Sequence, residues 1–289
     1  MSTESTESSP ARPYIVEAAG TFLLVLIAGG AVCLGQAAQP GQSPLTAILV
    51  ALATGVALAG ALAWTVPISG GYLNPAITLA LWVYKKLDGS RTTGLILSQL
   101  VGAVAAGALL RMAFANADEL LPARLGTPHL NYQALGYNSL TLWSMIHGSA
   151  AELCFTFILT IAIFATLIDD RAPSLPEGTP RVFTTLWVGL AAATLTLVGF
   201  KLTGAAANPA RWFGSAIWEL SVDSIRDRGQ SPLADHMVYW IGPILGALLG
   251  AGVYLKLVMG EGDEPAPHHH GAHGAAPATA GSTAIKAKK

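Results

Sequence analysis

Six long apolar segments dominate the pattern of hydrophobic and polar positions along this chain. Each is close to the twenty residues or so that an α-helix needs to cross the roughly 30 Å apolar core of a bilayer. The segments are residues 15–34, 45–64, 95–114, 149–168, 183–200 and 238–258. The pattern therefore predicts an all-α membrane protein with six transmembrane helices.

Polar sequence of low complexity borders the apolar region at both ends. Residues 1–13 are rich in Ser, Thr and Glu, and residues 260–289 are rich in Ala, Pro, Gly and His. Such compositions bury too little apolar surface to fold, so both ends are expected to be disordered tails. We expect no dedicated metal site in the second tail, whose histidines are His268, His269, His270 and His273.

The tripeptide Asn-Pro-Ala occurs twice, at residues 74–76 and 208–210. Asn is a favoured N-cap, and Pro is favoured at the first helical position because its missing N–H would have no partner there. Each copy therefore predicts the start of a helix. The apolar stretch after each copy spans only about half of a bilayer core. Two half-helices among membrane spans predict two re-entrant segments.

The sequence around the two tripeptides is also duplicated. A small hydroxyl residue followed by Gly lies upstream of each copy, at residues 69–70 and 203–204. Glu17 and Glu152 lie in apolar segments and precede the Asn of their copies by 57 and 56 residues. Matching spacings over this distance indicate one duplicated unit.

The duplicated units are approximately residues 14–114 and 149–259, and each contains three spans and one half-helix. Because three crossings end on the opposite side of the membrane, the second unit must be inverted relative to the first. Inverted repeats of this kind have their functional site near the midplane, where interrupted helices meet.

The composition supports a membrane protein and excludes several other classes. The chain is 52% hydrophobic and 11% charged, against about 25% charged residues in a typical soluble domain. No basic run interleaved with aromatic residues occurs, so no nucleic-acid partner is expected. No arrangement typical of an enzyme, a phosphate loop or a cofactor site occurs. We interpret Cys33 and Cys154 as reduced residues within apolar segments, and His129 and His147 as loop residues.

Two Asn-Pro-Ala boxes in register with a repeat, with Arg211 directly after the second, resemble the aquaporin (major intrinsic protein) family. The resemblance implies six transmembrane helices plus two re-entrant half-helices over a channel domain at residues 14–259. It also implies a homotetramer with one pore per subunit, surrounded by membrane lipid. Such a pore passes water and small uncharged solutes passively, excludes protons and ions, and needs no cofactor.

The resemblance assigns roles to individual residues. The pore boxes would be Asn74, Pro75, Ala76, Asn208, Pro209 and Ala210. The selectivity filter at the outer constriction would be Thr54, Thr196, Ala205 and Arg211. Glu17 and Glu152 would be structural braces that accept hydrogen bonds from the backbone of the pore loops.

The predicted filter leaves the preferred solute open. Strict water channels of the family typically carry Phe and His where this chain has Thr54 and Thr196, so a wider aperture is expected here. In contrast, Trp212 and the aromatic pair at residues 239–240 resemble water channels. Water is expected to pass together with some larger solute: glycerol, urea, ammonia, hydrogen peroxide or a neutral metalloid acid. Ala205 stands where many water-specific relatives have Cys, so mercurial block through this position is not expected.

Two other functions remain open from the sequence. Glu17 or Glu152 could couple solute movement to protons, since ionisable residues within spans are functional candidates. A structural membrane protein with little conduction is the other alternative.

The basic residues predict the orientation of the chain in the membrane. With both termini cytoplasmic, the inner set is Arg12, Lys85, Lys86, Arg91, Arg171, Arg181, Lys256, Lys286, Lys288 and Lys289. The outer set is Arg111, Arg124, Lys201, Arg211, Arg226 and Arg228. The larger inner set favours cytoplasmic termini. A plasma (inner) membrane location is also expected. The long loop at residues 115–144 is then expected to fold over the outer mouth.

Overall fold

The structure is a computed structural model that describes residues 9–38, 43–114, 118–169, 182–226 and 231–260. The helices are α1 Arg12–Ala38, α2 Pro44–Ser69, α3 Pro75–Val83, α4 Gly89–Phe114, α5 Leu142–Ile163, α6 Val182–Gly199, α7 Pro209–Glu219, α8 Asp223–Arg226 and α9 His236–Val253. Wider π-helical turns continue α5 over Phe164–Ile168 and α9 over Tyr254–Met259, and a 3-10 segment covers Asp118–Gly126. Most of both predicted tails, with the four tail histidines, lies outside the described residues.

Each of the six predicted spans corresponds to a helix. By length and composition, α1, α2, α4, α5 and α9 are long and apolar enough to cross a membrane, and α6 is a somewhat shorter apolar helix. Helices α2 and α5 begin before their apolar segments, because capping residues set their N-termini. Ser43, for example, caps α2 by accepting the N–H of Thr46 at 3.1 Å. The first helix begins at Arg12, slightly before the predicted start of the membrane domain.

The two Asn-Pro-Ala tripeptides begin helices, as predicted. The side-chain oxygen of Asn74 accepts the N–H of Ala76 at 3.0 Å, and that of Asn208 accepts the N–H of Ala210 at 2.9 Å. The helices that follow are short, with 9 residues in α3 and 11 in α7. These are the two predicted half-helices.

The two repeats pack on each other through corresponding residues. Gly55 in α2 and Gly189 in α6 occupy equivalent places, and a Cβ added to either would lie 2.5 Å from the carbonyl oxygen of the other. The backbones of α2 and α6 therefore touch where they cross, and no side chain fits between them. Small residues permit this close approach. The resulting van der Waals contact stabilises the helix pair in lipid, where the hydrophobic driving force between helices is weak.

Glycines also line the contacts within each repeat. In the first repeat, α1 packs along α4, and a Cβ on Gly102 of α4 would meet the backbone of Ala18. In the second, α5 packs along α9, where Gly242, Gly246 and Gly250 face the backbone of α5. The interior of this bundle surrounds the region where α3 and α7 begin.

Replacing Gly55 with Ala is expected to destabilise the helix crossing by about 1–3 kcal/mol, the usual effect of overpacking. The added methyl group would overlap the carbonyl oxygen of Gly189. Gly60→Ala is the matched control, because Gly60 lies on the exposed side of the same helix with nothing within 4 Å of an added Cβ. Thermal unfolding of both variants in detergent measures the difference. Equal melting temperatures for the two variants would contradict the tight crossing.

Candidate pore at the meeting of the half-helices

The loops before the two half-helices share an unusual backbone conformation. Leu73 and Ala207, which directly precede the two capping asparagines, have φ values of 50° and 46°. Gly71 and Ala205 also have positive φ, at 65° and 45°. Left-handed conformations of non-Gly residues are unfavourable by about 1–3 kcal/mol each and persist only where the surroundings impose them. The two pore loops therefore need strong external support.

A buried glutamate supports the first pore loop. One carboxylate oxygen of Glu17, Oε1, accepts the hydroxyl of Ser69 at 2.6 Å and the N–H of Tyr72 at 2.9 Å. The other, Oε2, accepts the N–H of Leu73 at 2.7 Å and the side-chain amide of Gln99 at 2.8 Å. Glu17 is fully buried, so these donors take the place of water around its carboxylate.

Glu152 supports the second pore loop in the same way. Its Oε1 accepts the hydroxyl of Thr203 at 2.6 Å and the N–H of Ala206 at 2.9 Å, and its Oε2 accepts the N–H of Ala207 at 2.7 Å. These are the bonds that the brace interpretation requires. Both carboxylate oxygens of each glutamate thus accept hydrogen bonds from the loop that precedes a half-helix.

The asparagine amides bind the two pore loops to each other. Asn74 donates from Nδ2 to the carbonyl oxygen of Ala207 at 2.8 Å, and Asn208 donates from Nδ2 to the carbonyl oxygen of Leu73 at 2.9 Å. Each asparagine thus caps its own half-helix and holds the loop of the other repeat. The left-handed residues before the asparagines turn the two accepting carbonyls towards this exchange.

A narrow cavity of about 40 Å³ lies beside the two asparagines. At about 10–15 Å³ of such volume for each water, it has room for a short file of water molecules. Its polar lining consists of Thr54, Asn74, Thr196, Asn208, Arg211 and the 205–207 loop, and its apolar lining includes Leu24, Leu58, Leu62, Leu159, Ile163 and Leu195. The lining is therefore amphipathic, with hydrogen-bonding groups facing aliphatic side chains.

The structure brings the four predicted filter residues and both asparagines to this one cavity. It does not bring the rest of the two boxes there. Pro75, Ala76, Pro209 and Ala210 are buried and begin the half-helices. Only the asparagines of the two boxes face the cavity, because the helices turn the next residues into the surrounding core.

Two filter residues offer hydrogen-bonding groups to this space. Within the described part of the chain, the hydroxyl of Thr54 is buried without a partner. The guanidinium group of Arg211 donates from Nη1 to the carbonyl oxygens of Ala205 at 2.5 Å and Gly204 at 3.2 Å. Arg211 also lines a second, outer cavity of about 130 Å³. It therefore stands between the narrow cavity and the outer one.

Sequence reasoning missed a charged cluster beside the outer cavity. Glu219, the last residue of α7, accepts from Arg124 at 2.7 Å through Oε2 and contacts His129 Nε2 at 2.8 Å through Oε1. The other ring nitrogen of His129 lies 3.0 Å from a carboxylate oxygen of Asp235, which also accepts the N–H of Leu130. We call these four residues, Arg124, His129, Glu219 and Asp235, the outer charge cluster.

The outer charge cluster corrects the interpretation of the histidines. His129 does lie in a loop, but its side chain is only 14% exposed and joins two carboxylates. Burial lowers its pKa, whereas the charges of Glu219 and Asp235 raise it to about 9, so His129 is protonated at neutral pH. His147 lies in α5 and contacts the hydroxyl of Tyr137 through Nδ1, so its assignment to a loop is wrong. No periodicity could reveal partners that lie about a hundred residues apart.

Aromatic rings secure the second half-helix from behind. Trp212 stacks on Tyr239 of α9 with ring centroids 5.6 Å apart and an interplanar angle of 8°. The hydroxyl of Tyr239 donates to the carbonyl oxygen of Thr203 at 2.8 Å. The aromatic residues noted in the sequence therefore tie the second pore loop and α7 to α9.

Comparison with known proteins identifies relatives along the whole channel domain. A sequence model described as major intrinsic protein matches residues 4–254. The chain is 30% identical over 275 residues to "Probable aquaporin TIP3-2" of Arabidopsis thaliana, covering 92% of this chain and 90% of that protein. It is 38% identical over 228 residues to "Aquaporin-5" of Homo sapiens, covering 78% of this chain and 75% of that one.

A solved structure has the same fold. The X-ray structure of the aquaglyceroporin from Plasmodium falciparum superposes with a TM-score of 0.71, covering 86% of this chain and 97% of the other. The sequence identity is 21%, so the likeness concerns the fold alone.

Glu152→Gln is expected to destabilise the protein, because an amide group would replace one acceptor oxygen and face backbone donors. Each buried N–H left without an acceptor costs about 1–3 kcal/mol. Thr194→Val is the control, since Thr194 is exposed on α6 and bonds only within its own helix. Thermal unfolding in detergent and water flux in proteoliposomes should both fall for Glu152→Gln and not for the control. Unchanged values for Glu152→Gln would refute the brace.

Proposed function

The chain belongs to the major intrinsic protein family, and from this premise we propose which of its residues form the pore. It is a passive channel for water and small uncharged solutes and not an enzyme. Proton-coupled transport and a purely structural role are not favoured for a member of this family.

We propose that solutes pass through the narrow cavity in single file beside Asn74 and Asn208. The observation that carries this proposal is the convergence of both asparagines and all four filter residues on one cavity. Each asparagine amide has a second N–H hydrogen beyond the one that it donates to the opposite loop. A solute that leaves bulk water can exchange its hydrogen bonds for these donors and for the loop carbonyls at little net cost. The apolar wall offers no hydrogen bonds, so each solute has few hydrogen-bonding partners in the cavity and is not held tightly.

Exclusion of cations and protons follows from fixed positive charge along the same path. Both half-helices direct their N-termini at the asparagines, and a helix N-terminus carries about half a positive elementary charge. Arg211 adds a full charge nearer the outer cavity. This barrier is the one generally described for aquaporin pores. Uncharged solutes are not subject to it.

The filter supports passage of solutes larger than water. Thr54, Thr196 and Ala205 are small, so the fourth member, Arg211, is the only long side chain at the constriction. The unpaired hydroxyl of Thr54 offers a hydrogen bond to a hydroxylated or amide solute. We therefore propose that glycerol, urea or a solute of similar size passes with water.

We further propose a homotetramer in the plasma (inner) membrane, with both termini cytoplasmic and residues 14–259 as the channel domain. The predominance of basic residues on the predicted inner side supports this orientation. Family resemblance supports the tetramer. Native mass spectrometry of the detergent-solubilised protein tests the assembly, and protease accessibility of the tails in sealed vesicles tests the orientation.

Thr54→Phe is expected to narrow the filter and to lower solute permeability. In stopped-flow light scattering on proteoliposomes, glycerol or urea flux should fall about tenfold, equivalent to about 1.4 kcal/mol, while water flux falls less. Leu52→Phe is the matched control, since Leu52 is 56% exposed on the same helix. A proportional loss of water and solute flux in Thr54→Phe would argue against Thr54 as a filter residue.

Mercuric chloride is expected to leave water flux unchanged. Ala205 has no thiol, Cys33 is buried away from both cavities, and Cys154 is exposed on α5. Introducing a thiol by Ala205→Cys should create mercury-sensitive flux that a reducing agent restores. Block of the unmodified protein would implicate Cys33 or Cys154 in the path, and a resistant Ala205→Cys variant would show that Ala205 does not line it.

A further inference from the structure

The outer loop at residues 127–131 contacts the second pore loop directly. The N–H of Asn131 donates to the carbonyl oxygen of Leu202 at 2.8 Å. Pro128 lies against Gly204, where an added Cβ would be 3.0 Å from two atoms of the proline. Gly204 has a φ of 78°, so a larger residue would be strained there as well as crowded. The outer loop thus covers the strained backbone of the pore loop from outside.

The residue covered by Pro128 takes part in holding the filter arginine. The carbonyl oxygen of Gly204 is one of the two acceptors of Arg211 Nη1, at 3.2 Å. The other acceptor is the carbonyl of the next residue, Ala205. Any shift of the loop at Gly204 therefore moves both carbonyls that orient the guanidinium group.

The outer loop is held in turn by His129, the residue after Pro128. His129 joins Glu219 at the end of α7 to Asp235 just before α9, with distances of 2.8 and 3.0 Å. Arg124 from the 3-10 segment neutralises the remaining charge on Glu219. In this cluster, a protonated His129 is hydrogen-bonded to two carboxylates, and charge-assisted bonds of this kind are the stronger class. Removing its charge would leave the two carboxylates of the cluster with one cation, Arg124, which is paired with Glu219.

We propose that His129 is a positioning residue of the selectivity filter, which holds the 127–131 loop against Gly204 and thereby fixes the orientation of Arg211. The proposal rests on the proposed role of Arg211 in the filter. His129 itself does not contact the narrow cavity. Its effect reaches the solute through Pro128, Gly204 and the arginine.

The proposal makes selectivity depend on pH. The groups that face His129 are Glu219 from α7, Asp235 before α9 and Arg124 from the 3-10 segment, with Arg211 across the outer cavity. Because the pKa of His129 is raised to about 9, its ionic bonds are complete at neutral pH and are lost as the pH rises through about 9.

The experiment measures the ratio of urea to water permeability in proteoliposomes, at pH 7 to 10, for the unmodified protein and for His129→Gln. Loss of folded channels lowers both fluxes equally and leaves the ratio unchanged. In contrast, displacement of Arg211 widens the filter and raises the ratio of urea to water permeability. We expect His129→Gln to raise the ratio about fivefold, within the range for residues that act on a site without contacting it. The unmodified protein should show the same rise above pH 9, and His129→Gln should show no further change.

Two other variants separate the possible failures. His147→Gln is the matched control, because His147 contacts Tyr137 and lies outside the outer charge cluster. Its ratio should follow that of the unmodified protein at every pH. Arg211→Ala tests the proposed function itself, and adding His129→Gln to Arg211→Ala should have no further effect.

The outcomes distinguish the two proposals. If Arg211→Ala changes the ratio but His129→Gln and high pH do not, His129 does not position the filter. If Arg211→Ala leaves the ratio unchanged, the filter assignment is wrong. If His129→Gln does not fold, an unchanged ratio across the pH series of the unmodified protein still overturns the proposal.

Discussion

The structure depends on two buried carboxylates that satisfy the backbone donors of the pore loops. The loops adopt left-handed conformations at Leu73 and Ala207, and in an apolar environment each unpaired N–H would be strongly unfavourable. Glu17 accepts the N–H groups of Tyr72 and Leu73, and Glu152 accepts those of Ala206 and Ala207. These hydrogen bonds offset both the backbone strain and the desolvation of the N–H groups. Without the two glutamates, these four backbone N–H groups would lose their acceptors.

This support is duplicated, but the two halves differ away from the midplane. At the asparagines, each repeat donates one amide hydrogen bond to the loop of the other. Towards the outer cavity, the second loop alone carries Arg211 and contacts the loop at residues 127–131. The proposed filter is therefore asymmetric, although the two repeats around it are related by symmetry. Selectivity in such a protein can vary through the outer elements without disturbing the shared support at the centre.

Much of the fold was predictable because its signals are local or periodic. The apolar segments predicted the spans, since lipid requires long stretches without charge, and the Asn-Pro pairs predicted the half-helices, since capping depends only on neighbours along the chain. The asparagine exchange between loops was not predictable. Asn74 and Ala207 are 133 residues apart, and no property of either one indicates the other as its partner.

The sequence alone determined the membrane class and the inverted repeat, because hydropathy, capping and internal duplication are written in linear order. Its resemblance to a known family supplied the candidate residues of the pore. Only the tertiary structure decided which atoms meet: that the boxes present their asparagines to the cavity and bury the rest, that Trp212 stacks on Tyr239, and that His129 joins two carboxylates. Such contacts depend on the crossing of helices in space. Close helix packing, of which the crossing at Gly55 and Gly189 is one example, is a property of the folded chain and not of residue order.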